Sequence, residues 1–284
     1  MGVGDRGSVG VSGAAGRVWS EVGDRVFVRR YAFFDQSIGA VIGQAGVVLI
    51  DTRTTYAQAD ELRNDLALLT DAPLAAVVNT HHHYDHTFGN ARFGDAPIWG
   101  HDACAIALSQ HGEQMRRRVM AKLPEIADEL AEVVITPPGR TFARAQQLDL
   151  GNRQIELRHL GRGHTDNDIV VLVPDADVLF AGDLLENRAP PSFGDAFPIA
   201  WAGTVGERLL PLVGEVVVPG HGDPAGRDFA VRQAAELALL ARLIRESTAG
   251  AIGLDEVLRA SPFPAEQTRV AVERGHLELE QPPQ

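Results

Sequence analysis

The chain has 284 residues, 45% of them hydrophobic, enough to bury a substantial core. Its 38 acidic residues against 26 basic ones leave a formal charge of −12, a field that repels phosphate backbones and argues against nucleic acid as a partner. A single cysteine, Cys104, excludes an intrachain disulfide and any cysteine-rich structural zinc site, and no apolar run is long enough to cross a membrane.

Residues 1–17 are rich in glycine and small side chains, lack the apolar core of a secretory signal, and carry Arg6 where a myristoylation motif wants serine or threonine. They read as a disordered lead-in to one domain spanning residues 18–284, and the protein is expected in the cytoplasm. Residues 25–29 alternate as a half-buried strand does, and residues 38–42 and 47–50 read as two more strands, joined near Gly43 and Gly46. Residues 56–69 carry helical spacing, with Leu62, Leu66 and Leu69 on one face. Residues 75–78 form the short apolar run of a strand buried on both faces. A helix is predicted over 102–122, ending before Pro124, and a second helical piece over 123–134, stopped by Pro137-Pro138-Gly139. Strands follow at 154–160, 169–173, 178–181 and 215–218, with a helix over 201–212 before the last. The clearest helix lies over 229–245, where Val231, Ala235, Ala238 and Arg242 sit behind a broad leucine-rich face. Shorter helices are expected near 254–259 and before the Pro282-Pro283 tail. No repeat or long linker interrupts this mixture of strands and helices, which reads as an α/β domain.

Directly after the strand at 75–78 comes His81-His82-His83-Tyr84-Asp85-His86, in which four of six residues follow the spacing H-x-H-x-D-H. Neutral imidazoles and a carboxylate suit a borderline ion such as zinc, and four such groups packed this tightly are costly to bury without a cation. An exposed histidine-rich loop is the alternative. Three later segments weigh against it. Strand 154–160 leads to Gly163-His164-Thr165, strand 178–181 to Gly182-Asp183, and strand 215–218 to Pro219-Gly220-His221-Gly222. In each, an apolar strand ends near a glycine followed by a candidate ligand. Glycine permits a sharp turn and close backbone approach, so the next side chain can point back into the crevice beyond the strand end, where open α/β folds place their sites.

These strings resemble the metallo-β-lactamase-fold metallohydrolase superfamily over roughly residues 26–222, including an early Ile50-Asp51-Thr52 that is similar to the family's first motif. The resemblance implies a four-layer αβ/βα sandwich with metals at one edge of the two sheets. It implies that His81, His83 and His164 hold one metal, that Asp85, His86 and His221 hold a second, and that Asp183 bridges them. Spacing agrees: His81 and His83, two apart in an extended segment, face one ion, while Asp85 and His86 face elsewhere. The expected cofactor is two Zn2+ sharing a hydroxide, with Asp85 orienting it and relaying its proton. A ligand set without thiolate also suits iron or manganese.

The bridging position points to a subclass. Lactam-cleaving members generally lack a carboxylate there, whereas Asp183 looks more like the thioesterases, lactonases and phosphodiesterases of the superfamily, glyoxalase II among them. The expected function is a metal-dependent hydrolase of a small ester, thioester or lactone. The alternatives are a β-lactamase; a mononuclear iron sulfur dioxygenase, which has no use for His86 and His221; and a phosphodiesterase or nuclease, which wants a basic groove. The short segment after Gly222 argues against glyoxalase II proper.

Other residues divide as follows. Tyr84 is a candidate pocket residue, and Thr80 and Thr165 are candidate hydrogen-bond partners of ligands. Asp51 is expected to be structural, and Cys104 a small buried apolar residue. His101, His111, His159 and His276 are expected in surface or satisfied core roles. Arg116, Arg117, Arg118 and Lys122 form a basic cluster; Arg117 or a neighbour, or Arg188, is a candidate for binding a substrate carboxylate or phosphate, against the alternative of a solvated helix face. The loop over 185–201, with Pro190-Pro191 and Phe193, is a candidate pocket wall.

Overall fold

A computed structural model describes residues 19–280; the lead-in expected at 1–17 and the Pro282-Pro283 tail lie outside the described residues. The elements run β1 (Ser20–Gly23), β2 (Val26–Tyr31), β3 (Gln36–Gly43), β4 (Gly46–Ile50), α1 (Tyr56–Leu69), β5 (Leu74–Val78), α2 (Tyr84–Thr87), β6 (Ile98–His101), α3 (Asp102–Lys122), α4 (Ala127–Ala131) and β7 (Arg140–Phe142). They continue with β8 (Ala145–Asp149), β9 (Gln154–His159), β10 (Ile169–Val173), β11 (Val178–Glu186), α5 (Pro198–Gly203), β12 (Val216–His221), α6 (Arg227–Thr248), α7 (Leu254–Ala260) and α8 (Ala265–Glu280).

The strands form two half-sheets that are nearly consecutive in the chain. The first follows the order β7-β6-β5-β4-β3-β2-β1 and the second β12-β11-β10-β9-β8. They join along one edge through a single antiparallel pair, His221 with Gln36. Period-two alternation decides the layers. Val48 and Ile50 of β4 face Val171, Val173 and Phe180 of the other half, forming the central core. Leu49 points the other way, against Ala59 and Leu62 of α1. Leu179 and Ala181 of β11 point outward onto Leu237, Leu240 and Ile244 of α6. Helix, sheet, sheet and helix thus make the four-layer αβ/βα sandwich.

Local chemistry accounts for most elements. Thr55 caps α1 by accepting from the Gln58 N–H at 3.3 Å. The buried face of α6 carries Leu237, Leu240, Ala241 and Ile244, as its leucine pattern predicts, while Val231 stays exposed. The helix predicted over 201–212 is instead α5, a π-helical turn at Thr204–Leu209 and a 3-10 turn at Leu210–Leu212. Pro211, with no N–H to give, sits in that last turn. The second helical piece shrinks to a 3-10 turn at Pro124–Ile126 and α4. Cys104 is fully buried, and burial pushes its thiol up, consistent with a packing role. No described helix is long and apolar enough to cross a membrane.

Candidate metal centre

Four loops at one edge of the two sheets bring the seven predicted side chains together. His81 to His83 leave β5 in an irregular stretch, and His83 is still extended (φ −64°, ψ 152°) when α2 begins. One helical turn then swings Asp85 and His86 away from His81 and His83. His164 follows β9, Asp183 lies within β11, and His221 ends β12. The result is two groups. His81, His83, His164 and Asp183 have ligand atoms within 4.8 Å of one another, as do Asp85, His86 and His221. Asp183 reaches both: its oxygens lie 3.5 Å from His164 Nε2 and 3.7 Å from His81 Nε2 on one side, and 3.3 Å from the Nε2 atoms of His86 and His221 on the other.

Each of the five imidazoles is gripped from behind by its second nitrogen. His81 Nδ1 lies 3.1 Å from Thr80 Oγ1, whose hydroxyl donates to Asp51 at 2.8 Å. His86 Nδ1 lies 2.8 Å from the same oxygen of Asp51, Oδ2. His164 Nδ1 donates to the Ser192 carbonyl at 3.2 Å and His221 Nδ1 to the Phe34 carbonyl at 2.8 Å. His83 is reversed: Nε2 lies 3.1 Å from both Asp195 oxygens, so Nδ1 turns inward, 2.8 Å from His164 Nε2. Second partners of this kind fix the tautomer and aim the free nitrogen. Asp51 therefore orients two histidines and is not itself in either group. Thr165 holds its loop by donating both N–H and hydroxyl to Asp168, at 2.8 and 2.7 Å.

The glycines act in two ways. Gly182 and Gly222 take positive φ, 54° and 91°. Gly220 does not, and is needed for its missing side chain, because a Cβ there would overlap Asp183 Oδ1.

The electrostatics split the histidines. Burial pushes His81 well below the usual range and His164 to about 4, so both are neutral. Burial also opposes charge on His86 and His221, but Asp183 and Asp85 prevail and raise both well above it. Burial alone would raise Asp85 and Asp183; His86 foremost, with His221, holds both well below the carboxylate range. The side chains by themselves therefore pair two imidazolium cations with two carboxylates. Divalent ions in place of those protons would supply more positive charge than the two carboxylates offset, leaving room for a bound hydroxide. His81 Nε2 and Asp183 Oδ1 are also buried without a hydrogen-bond partner, a cost that metal ligation removes. The donor set fits two divalent ions of the zinc type.

A cavity of about 580 Å³ opens beside the first group, with His83, Tyr84, Asp195 and residues of α3 in its walls. Tyr84 is half-buried on this cavity. Arg117 is not on it; its Nε donates to the Glu113 carbonyl, and it faces an adjoining surface depression that shares Gln114 and Arg118 with the cavity. Arg188 is half-exposed and ion-paired with Asp223, away from the cavity lining. His111 is exposed, as expected, but opens onto the cavity. Phe193 of the proposed wall is instead buried against Trp201 and Phe263.

Sequence reasoning missed Asp195, Asp168, Glu186 and Gln36. Gln36 Nε2 donates to the Asp85 carbonyl, tying the seam between the half-sheets to the ligand loop. Glu186 is buried, with its carboxyl pushed up to about 8 by burial and then by Asp183, and it accepts from the Ser192 N–H at 3.1 Å. Only Asp168 had a local signal, the three-residue step from Thr165 that typifies side-chain-to-backbone capping.

The family model of the Metallo-beta-lactamase superfamily matches residues 32–221. Among curated proteins, the chain is 24% identical to a linear primary-alkylsulfatase of Pseudomonas sp. over 221 residues, 64% of this chain and 41% of that one. It is 26% identical to a metallo-beta-lactamase type 2 of Bacteroides fragilis, covering 66% of this chain and 70% of that one. It is 25% identical to the acyl-coenzyme A thioesterase MBLAC2 of Gallus gallus, covering 57% and 61%. The chain thus spans less than half of the alkylsulfatase it matches. Among solved structures, a metallo-beta-lactamase from Pontibacter korlensis superposes with a TM-score of 0.60 at 22% identity, over 78% of this chain and 98% of that one. The sec-alkylsulfatase Pisa1 from Pseudomonas sp. superposes with a TM-score of 0.69 at 17% identity, over 94% and 52%.

Proposed function

Because the chain belongs to the metallo-β-lactamase superfamily, whose relatives here include hydrolases of several ester and amide classes, we propose that it is a dinuclear zinc hydrolase acting on a small ester, thioester or lactone. One observation carries the reading: five imidazoles have one nitrogen held from outside and the other turned inward, four of them to within 3.7 Å of a shared carboxylate, Asp183. His81, His83 and His164 would hold one ion, Asp85, His86 and His221 the other, and Asp183 both. When bound, such ions polarise the scissile carbonyl and make water a nucleophile at neutral pH.

The chain's own residues supply the rest. Asp51, Thr80 and Asp195 keep the imidazoles in the required tautomers. Asp85, 3.3 Å from His221 Nε2 and 3.5 Å from His86 Nε2, orients the attacking water and takes up its proton. Tyr84 and α3 wall the substrate. A sulfate ester is the second reading, favoured by the alkylsulfatase relative.

The test is a panel of esters, thioesters, lactones, lactams, phosphodiesters and alkyl sulfates on metal-quantified protein, with Asp85→Ala beside it. Loss of roughly 10²–10⁴-fold in kcat, with weakened occupancy of the second ion and the first retained, supports the assignment. Activity that survives in Asp85→Ala rejects it.

A further inference from the structure

One helix builds a whole wall of the cavity. Steps of three and four residues along α3 place His111, Gln114, Met115, Arg118, Val119 and Lys122 on one face, opposite His83, Tyr84 and Asp195. That face is divided. Met115 and Val119 are apolar, while Arg118 and Lys122 are two cations one turn apart. The one carboxylate lining the cavity, Asp195, is committed to His83 at 3.1 Å and to His82 at 3.6 Å. Neighbouring cations are engaged: Arg116 pairs with Glu113 and donates to the Leu130 and Ala131 carbonyls, Arg117 bonds within its own helix, and Arg188 pairs with Asp223. Arg118 and Lys122 have no ion pair or side-chain hydrogen bond among the described residues.

Resting on the hydrolase reading, we propose that this wall is an anion subsite. The substrate is a small ester or thioester carrying a carboxylate or phosphate on the part remote from the scissile bond. Arg118 offers a two-pronged donor to that group and Lys122 a point charge. The apolar stretch between anion and reacting carbonyl lies along Met115 and Val119. A volume of about 580 Å³ suits one small molecule and not a polymer. A simple alkyl sulfate, by contrast, bears its charge at the reacting centre and has nothing to place here.

The test uses full-length, zinc-loaded protein and three p-nitrophenyl esters of matched length: the neutral valerate, the carboxylate-tailed hemiglutarate and a phosphonate-tailed analogue. Wild type is expected to favour an anionic ester over the neutral one by about tenfold or more in kcat/KM. The ratio should fall to near one in Arg118→Gln/Lys122→Gln, through KM, and should persist in Arg117→Gln, outside the cavity. The better anionic ester identifies carboxylate or phosphate as the recognised group. A wild-type ratio near one for both tails, or a ratio that survives in the double variant, overturns the subsite. Calorimetry with glutaranilic acid, an amide analogue, separates this failure from that of the hydrolase reading. If no ester is cleaved but its binding weakens about tenfold in the double variant, the subsite stands and the hydrolase reading falls. Equal binding to both proteins, or none to wild type, overturns the subsite.

Discussion

Asp195 grips His83 from the side away from the ligand cluster, with both carboxylate oxygens 3.1 Å from Nε2. The grip reaches back to the C-terminal helix, because Arg274 of α8 donates to the backbone carbonyls of Asp195 and Ala196 at 3.0 and 3.1 Å. Asp195→Ala frees the ring to rotate and to change tautomer. Metal affinity, read by competition with a chromophoric chelator, is expected to fall about 10–100-fold. Affinity equal to wild type would show that His83 needs no partner.

Gly220→Ala puts a methyl group where Asp183 Oδ1 lies. The carboxylate shared by both groups must move, so the variant is expected to bind less than two metal equivalents by elemental analysis and to lose most activity. Full metal content would mean that β12 yields instead.

The pH dependence of stability should depend on metal. Above pH 6.5, the groups that dominate in the metal-free protein are His86 and His221, raised well above the usual range, His83, also raised, and two acids, Asp168 at about 7 and Glu186 at about 8; the lowered histidines oppose them only near pH 6.5. For each of these five groups the folded state binds protons more tightly than the unfolded chain. Stability is therefore present at the acidic end of this window and lost as pH rises through the folded values. The Tm of chelator-treated protein is expected to fall between pH 6.5 and 9. With zinc the slope reverses, since deprotonated imidazoles bind the ion and metal uptake releases protons. A chelator-treated Tm that climbs over this window would contradict the charge assignment.

Trp201 links core to site. It is fully buried, donates from its indole N–H to the Leu184 carbonyl at 3.1 Å, and packs 5.6 Å from the His164 ring. Trp201→Ala is expected to cost about 3–5 kcal/mol in urea unfolding and to weaken metal binding through a loosened His164. A cost under about 1 kcal/mol would mean that the surrounding residues collapse into the space.

Much of this architecture was legible in the chain itself. The bounds of α1, α3 and β10 coincide with those predicted, because their periodicity runs unbroken between clear stop signals. β8 was missed because only Leu148 of its five residues is buried; pairing with β9 holds it, not its composition. β6 and β7 were too short to show a period. At the site, residues followed by or following glycine at strand ends were visible as motifs. Asp195 was not, since its partner is 112 positions away and its loop carries no pattern. Distance in sequence likewise hid which arginine of the 116–118 run faces the cavity: helical phase narrows the choice, and only the opposite wall decides it.

The half-sheets share one ladder pair, Gln36 and His221, at the rim of the core packed between them, and neither candidate metal group belongs to one half. His81 and His83 wait on His164 and Asp183, and Asp85 and His86 wait on His221. On the proposed ligand assignment neither half of the chain completes a coordination sphere on its own, so full occupancy is expected only once the halves have docked. A bound ion would then work as a clasp at the rim of that shared core, and metal content would report docking, readable while the protein refolds.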